Sequence, residues 1–199
     1  MGKIIKIFEE FQNVTLDTVL SECKPYIDIL KDCKKGKLFV RGINEKNIDI
    51  QKFEMLDSRQ PKDTFIDSHN MFNTFFYDNF GWNVRDGVFC YMTKTYITGY
   101  GAENYFIFPI GNFEYCWSPD VTDLFTRFEE EINGNYEDPG WEDEEEWIDF
   151  VRDIVIPKEY KIDNVCKSYD SNEISLNCRN GYYVVNIDYE DDIINKIWK

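Results

Sequence analysis

The chain has one histidine, His69, in 199 residues, and none of its six cysteines (Cys23, Cys33, Cys90, Cys116, Cys166 and Cys178) stands in a Cys-x-x-Cys pair. A zinc site of the usual Cys/His spacing therefore has little to build on. Basic residues are scarce as well: 22 Lys and Arg stand against 38 Asp and Glu, a formal net charge of −16. A surface of that sign repels a phosphate backbone, which excludes broad nucleic-acid contact, and it suits a basic protein partner instead. Long apolar runs are missing too. No stretch approaches a membrane span, and the apolar run before Glu9 is too short for a signal peptide. Lys6 stands where an acylation signal wants Ser or Thr, so Gly2 is a poor myristoylation site. These absences together point to a cytoplasmic chain with reduced thiols.

Aromatic residues, by contrast, make up 17% of the chain, enough for a core built on Phe and Tyr. The length fits one domain over 1–199. Its first part, 1–36, reads as a helical segment: Leu16, Val19, Leu20 and Cys23 recur at helical spacing, Pro25 starts or kinks a helix, and Gly36 ends the segment among lysines. The remainder, 37–199, mixes strands and helices. "KLFV" is a short strand that delivers Arg41 just before Gly42. A turn around Pro61 leads into a helix whose apolar face holds Phe65, Met71, Phe72, Phe75 and Phe76, with Gly81 at its end. Val88, Phe89 and Tyr91 form a strand, "TKTYITGYG" a helical turn, and "NYFIFPIG" another strand. In "SPDVTDLFTRFEEEI" Ser118 caps a helix with Pro119 at its first position. Residues 129–149 hold eleven acids and no Lys or Arg, an acidic loop running into a helix. A strand is expected at 154–156. Three short alternating runs close the chain, "VCKSYD", "EISLNC" and "YYVVNIDY", the last two joined by an "RNG" hairpin turn. The expected fold class is α+β, with mixed, mainly antiparallel sheets behind N-terminal helices.

Arg41 can present a planar fork to a phosphate, and Gly42 lets a ligand approach the backbone. As a surface arginine it can equally hold a salt bridge. Thr93 and Thr95 sit where a strand passes into a helical turn; their hydroxyls either cap the turn or hold a ribose or an arginine. Tyr91, Tyr96 and Tyr100 either fill core or offer flat faces to a ring. His69, with Arg59, Asp63 and Arg85, is a second constellation, although a single histidine in an aromatic helix more often packs and bonds than reacts. Asp120 and Asp123 read as cap and surface. The acids of 137–149 lack the spacing of a calcium loop and read as a solvated face.

A strand ending in Arg-Gly, then Gly-Val-Phe, hydroxyl residues and a Tyr-Gly exit, together resemble the ADP-ribosyltransferase superfamily. That resemblance implies NAD as the donor and transfer of ADP-ribose to a basic host protein. It matches Arg41 to the strand arginine that meets NAD, and Thr93 with Thr95 to the hydroxyl pair. A carboxylate on a later strand would orient the nicotinamide ribose and stabilise the positive charge that builds as the glycosidic bond breaks. Here Asp153 stands where the family has Glu, with Val151 two residues earlier; Glu146 and Glu159 are substitutes if the alignment slips. The implied site is thus Asp153, Arg41 and Thr93 for chemistry, and Arg41, Gly42, Thr93, Thr95, Tyr91, Tyr96 and Tyr100 for NAD. The chain is also similar to uncharacterised tailed-phage proteins over residues 38–125, through Arg59, Pro61, Asp63, Thr64, His69, Asn73, Phe80-Gly81, Arg85, Val88-Phe89, Tyr100-Gly101 and Phe108-Pro109. Two other readings stand beside the transferase: an acidic protein, not an enzyme, that inhibits a basic host factor, and a phage structural or accessory protein whose transferase-like fold is inactive.

Overall fold

A computed structural model describes residues 14–56, 66–93, 101, 103–120, 148–168 and 172–199. Helix α1 (Leu16–Glu22) starts at Thr15, whose hydroxyl accepts from the Thr18 N–H, and α2 (Lys24–Asp32) follows at once with Pro25 in its first turn. Strands β1 (Leu38–Ile43) and β2 (Ile50–Phe53) come next, then α3 (Ile66–Phe80) and a 3-10 turn at Val84–Asp86. Strands β3 (Val88–Thr93), β4 (Glu103–Pro109) and β5 (Glu114–Trp117) precede a helical stretch that is π-helical over Val151–Val155 and ends as α4 (Ile156–Glu159). Strands β6 (Glu173–Asn177) and β7 (Tyr182–Asn186) lead to α5 (Glu190–Ile197). The fold is α+β, with one antiparallel sheet of seven described strands in the order β2-β7-β4-β1-β3-β6-β5.

That order corrects the expected hairpin at "RNG". β6 pairs with β3 and β5, whereas β7 pairs with β2 and β4, so the two strands lie four places apart. Alternate antiparallel pairing also gives them the same direction along the ladder. Yet only Cys178–Gly181 joins them, through a turn closed by the Gly181 N–H on the Cys178 carbonyl at 2.8 Å. The five Cα–Cα steps from Asn177 to Tyr182 reach at most about 18 Å, while four strand spacings in a flat sheet need about 19 Å. The sheet is therefore strongly coiled, bringing the ends of β6 and β7 together. β1 marks the bend: it pairs with β3 over Leu38–Val40 and with β4 over Val40–Ile43. At Phe39, where the β4 ladder has not yet begun, the N–H donates to the Tyr26 hydroxyl at 2.7 Å, and the Tyr26 and Phe39 rings stack at 4.5 Å.

The described residues form two apolar clusters. The larger packs α1, α2 and α5 on the sheet around Tyr26, Leu30, Phe39, Phe108 and Ile193. The smaller packs α3 against the 151–156 segment through Phe72, Phe76, Val151, Val155 and Ile156. This second cluster explains why the strand expected at 154–156 is helical. Val151 and Val155 are four residues apart and buried, while Ile154 is exposed, which is a helical stripe and not an alternating one. "VCKSYD" is likewise not a strand; Val165–Lys167 is a 3-10 turn. The end of the chain holds a helix in place of a continuing strand. Glu190, Asp191 and Asp192 open α5 and Lys196 closes it, as the helix dipole favours, and Ile193 and Ile197 are buried one turn apart. The reduced-thiol expectation is corrected too: Cys33, at the end of α2, and Cys166, in the 3-10 turn, form a disulfide with Cα atoms 5.0 Å apart. The acidic run 129–147 lies outside the described residues, as does the helix expected from Pro119 apart from its start, where Ser118 Oγ accepts from the Asp120 N–H at 3.1 Å. No described helix is long and apolar enough to cross a membrane.

Candidate functional site

Arg41 is delivered by β1 as its sequence context implies, half-buried, with Nη1 donating to the Phe89 carbonyl at 3.2 Å. No carboxylate among the described residues pairs with it. Its charge reaches Cys90 and Tyr182, where it partly offsets the burial that pushes both acids up. Thr93 ends β3 and is buried. The register separates the two. Leu38 stands opposite Thr93 and Val40 opposite Tyr91. Paired residues share a face and successive residues alternate, so Thr93 and Tyr91 lie on the face of Leu38 and Val40, and Arg41 on the other. The guanidinium and the Thr93 hydroxyl therefore leave the sheet on opposite sides.

Asp153 lies in the π-helical stretch, exposed, and both of its carboxylate oxygens accept from Arg152, Oδ1 from Nε at 2.7 Å and Oδ2 from Nη2 at 2.9 Å. That partner holds the carboxyl below its ordinary range. Asp153 thus belongs to a helix on the α3 side of the molecule, not to a sheet strand beside Arg41. Glu159 ends α4. Glu146, Thr95, Tyr96 and Tyr100 lie outside the described residues. The Tyr-Gly exit has a packing role: Gly101 has φ +75°, and a Cβ there would collide with the backbone of Gly42 and Ile43. Gly42 is thus covered by chain at that point, and the glycine pair permits close contact between two backbone segments.

No family model, curated protein or solved structure matches the chain. Its chemistry must be read from its own side chains.

His69 is the most built polar group. It is 3% exposed and sits in α3 with Nε2 2.9 Å from Asp86 Oδ1. Asn73, one turn on, donates Nδ2 to the same oxygen at 3.0 Å and accepts the Arg85 N–H at 2.9 Å; Asn83 donates to Asp86 Oδ2 at 3.3 Å. A proton on Nε2 lets the ring donate to the carboxylate, and Nδ1 is then buried with no partner among the described residues. Arg85 extends over the Phe89 ring at 5.0 Å and lies 3.9 Å from Glu173. This network ties α3 and the 84–86 turn to β3 and β6. Of the constellation expected around His69, Arg85 is present through its backbone; Arg59 and Asp63 lie outside the described residues. Asp86 was not expected, although its place just before Gly87 and a strand is one where a carboxylate often bonds locally.

The four thiols outside the disulfide are buried, and burial raises each of them, Cys178 to about 12. They are poor nucleophiles. Among the described residues no three His, Cys, Asp or Glu side chains converge as metal ligands.

One open hollow, about 480 Å³, lies where the 157–167 segment meets the β5 edge and the end of α3. Phe80, Trp117 and Tyr160 contribute aromatic wall, and Lys158, Lys161 and Lys167 stand around it. Sequence reasoning passed over these lysines. The available signal was their density: three within ten residues of a chain with 22 basic residues in all.

Proposed function

We propose that the protein is a non-catalytic binding module whose acidic surface engages a basic protein partner. The observation that carries this reading is the net charge of −16, concentrated by the eleven acids of 129–149. The groups that would perform transfer chemistry are otherwise committed: Asp153 is held by Arg152, and Thr93 and Arg41 belong to opposite faces. Electrostatic attraction of this kind accelerates encounter and is screened by salt. The test is capture of partners from bacterial lysate on the immobilised full chain, with elution by a salt gradient. A parallel column carries a variant with Glu142, Asp143, Glu144, Glu145 and Glu146 changed to the corresponding amides. Basic proteins retained by the wild type, released by salt and lost from the variant are the expected result. Retention that ignores salt, or that the amide variant keeps, overturns the reading.

The transferase reading has one specific observation in its favour, the half-buried Arg41 on β1 with no described carboxylate beside it. If it holds, NAD raises the melting temperature, Arg41→Ala abolishes the rise, and labelled ADP-ribose appears on a lysate protein. Absence of both the shift and the label removes it.

A further inference from the structure

We propose that the hollow walled by Phe80, Trp117 and Tyr160 is a binding site for a nucleoside polyphosphate, with Lys158, Lys161 and Lys167 as its phosphate contacts. This inference does not rest on the acidic-surface reading and runs against its sign, because it concerns a cleft whose lining holds more cations than acids.

Four observations support it. First, the lining carries three ammonium groups and one carboxylate, Asp163, within a chain of net charge −16. Second, that carboxylate is partly occupied, since Asp163 Oδ2 accepts from Asn164 Nδ2 at 2.8 Å. Third, the rim is held by main-chain bonds. Lys161 and Trp117 exchange two hydrogen bonds, N–H to carbonyl at 2.8 and 3.0 Å, which dock the segment on the edge strand β5, and Trp117 Nε1 donates to the Asp163 carbonyl at 2.8 Å. Lys167 lies in the 3-10 turn beside Cys166, whose disulfide ties that turn to α2. The positions from which the three lysines extend are thus fixed before a ligand arrives, which lowers the ordering cost of binding. Fourth, about 480 Å³ lies within the range of small-molecule sites, and Phe80 and Tyr160, both half-buried, leave apolar surface for a flat ring in front of the buried Trp117. Lysines supply point charges suited to phosphate oxygens, and three together favour a polyphosphate over a single charge.

Isothermal titration of the full chain with ATP, with inorganic tripolyphosphate and with adenosine, all without divalent metal, tests the proposal. The expected order is ATP tightest, tripolyphosphate weaker, adenosine weakest. Lys158→Glu with Lys161→Glu weakens ATP at least tenfold, while Lys52→Glu, exposed on the edge strand β2, leaves it unchanged. Both lysine sites are exposed, and a thermal melt of each variant confirms that it folds. No heat with ATP overturns the proposal. So does an equal loss in the Lys52 variant, which marks unspecific charge attraction. Tripolyphosphate binding as tightly as ATP overturns the role of the aromatic wall.

Discussion

His69 Nε2 lies 2.9 Å from Asp86 Oδ1, and both groups are nearly sealed from water. Asp86 is the shared acceptor for three side chains, His69, Asn73 and Asn83, that arrive from α3 and the loop after it. Removing it strands several donors at once, and an unmet buried donor costs more than the bond itself contributes. Asp86→Ala is expected to lower the unfolding free energy by about 3 kcal/mol in urea titration, and Asp86→Asn, which keeps one acceptor, by less. A loss below about 1 kcal/mol for the alanine variant would mean that α3 is held by Phe72, Phe75 and Phe76 without help from this network.

The disulfide between Cys33 and Cys166 closes a loop with 133 residues of sequence separation. A crosslink across a long loop restricts the unfolded chain most, and its loss is expected to cost about 2–4 kcal/mol. Cys33→Ser should lower the melting temperature, and a reducing agent should lower that of the wild type by a similar amount while leaving the variant unmoved. Mass spectrometry of protein thiol-labelled in denaturant without reduction should count four labelled cysteines. Six labels, or a melt insensitive to reduction, would show that the pair is not bonded in solution.

The elements legible in the sequence were those with a strong local pattern. The aromatic helix over Ile66–Phe80 ends at Gly81 because φ +79° suits glycine, and β1, β3 and β4 are apolar runs bounded by turns. Arg41 was placed correctly on its strand for the same reason. What stayed hidden depends on pairing across distance. Whether Thr93 and Arg41 share a face is a matter of register, and register is invisible in a single strand. The mispaired "RNG" turn is a clear case: Asn180-Gly181 has the chemistry of a hairpin, but the coiled sheet sends β6 and β7 to separate neighbours. At 151–156 a short apolar run was compatible with either period, and only the packing of Val151 and Val155 on α3 decides it.

Alkaline pH should unfold the protein early. Cys23, Cys90, Cys116 and Cys178 all titrate above the ordinary thiol value of 9.0, chiefly because burial disfavours the thiolate. Tyr26 and Tyr160 are likewise pushed well above 10.0, with burial again the leading cause. These acids are neutral in the fold, while the unfolded chain releases their protons at ordinary values. Their contribution is complete below pH 9 and is lost as pH rises past it, until the raised values are reached, about 12 for Cys178. Circular-dichroism melts taken stepwise from neutral pH should show a melting temperature that falls steadily above about pH 9. Phenolate absorbance should lag and then rise with the unfolding transition. A melting temperature constant through about pH 11 would contradict the burial of these groups.

The Tyr26 hydroxyl serves the backbone. It accepts the Phe39 N–H at 2.7 Å, just before the β1–β4 ladder begins at Val40, where that ladder offers no carbonyl. Tyr26→Phe keeps the ring stacked on Phe39 and edge-on to Phe108, so the apolar contacts survive. What is lost is the acceptor for a main-chain donor in a fully buried residue. The expected cost is about 1–3 kcal/mol, read as a lower urea midpoint with an unchanged slope. Amide exchange gives the sharper test, because Phe39 N–H should lose protection in the variant while the amides of β3, bonded within the sheet, keep theirs. Equal protection of Phe39 in both proteins would mean that another group takes over the donor and that β1 does not depend on α2 for its first turn into the sheet.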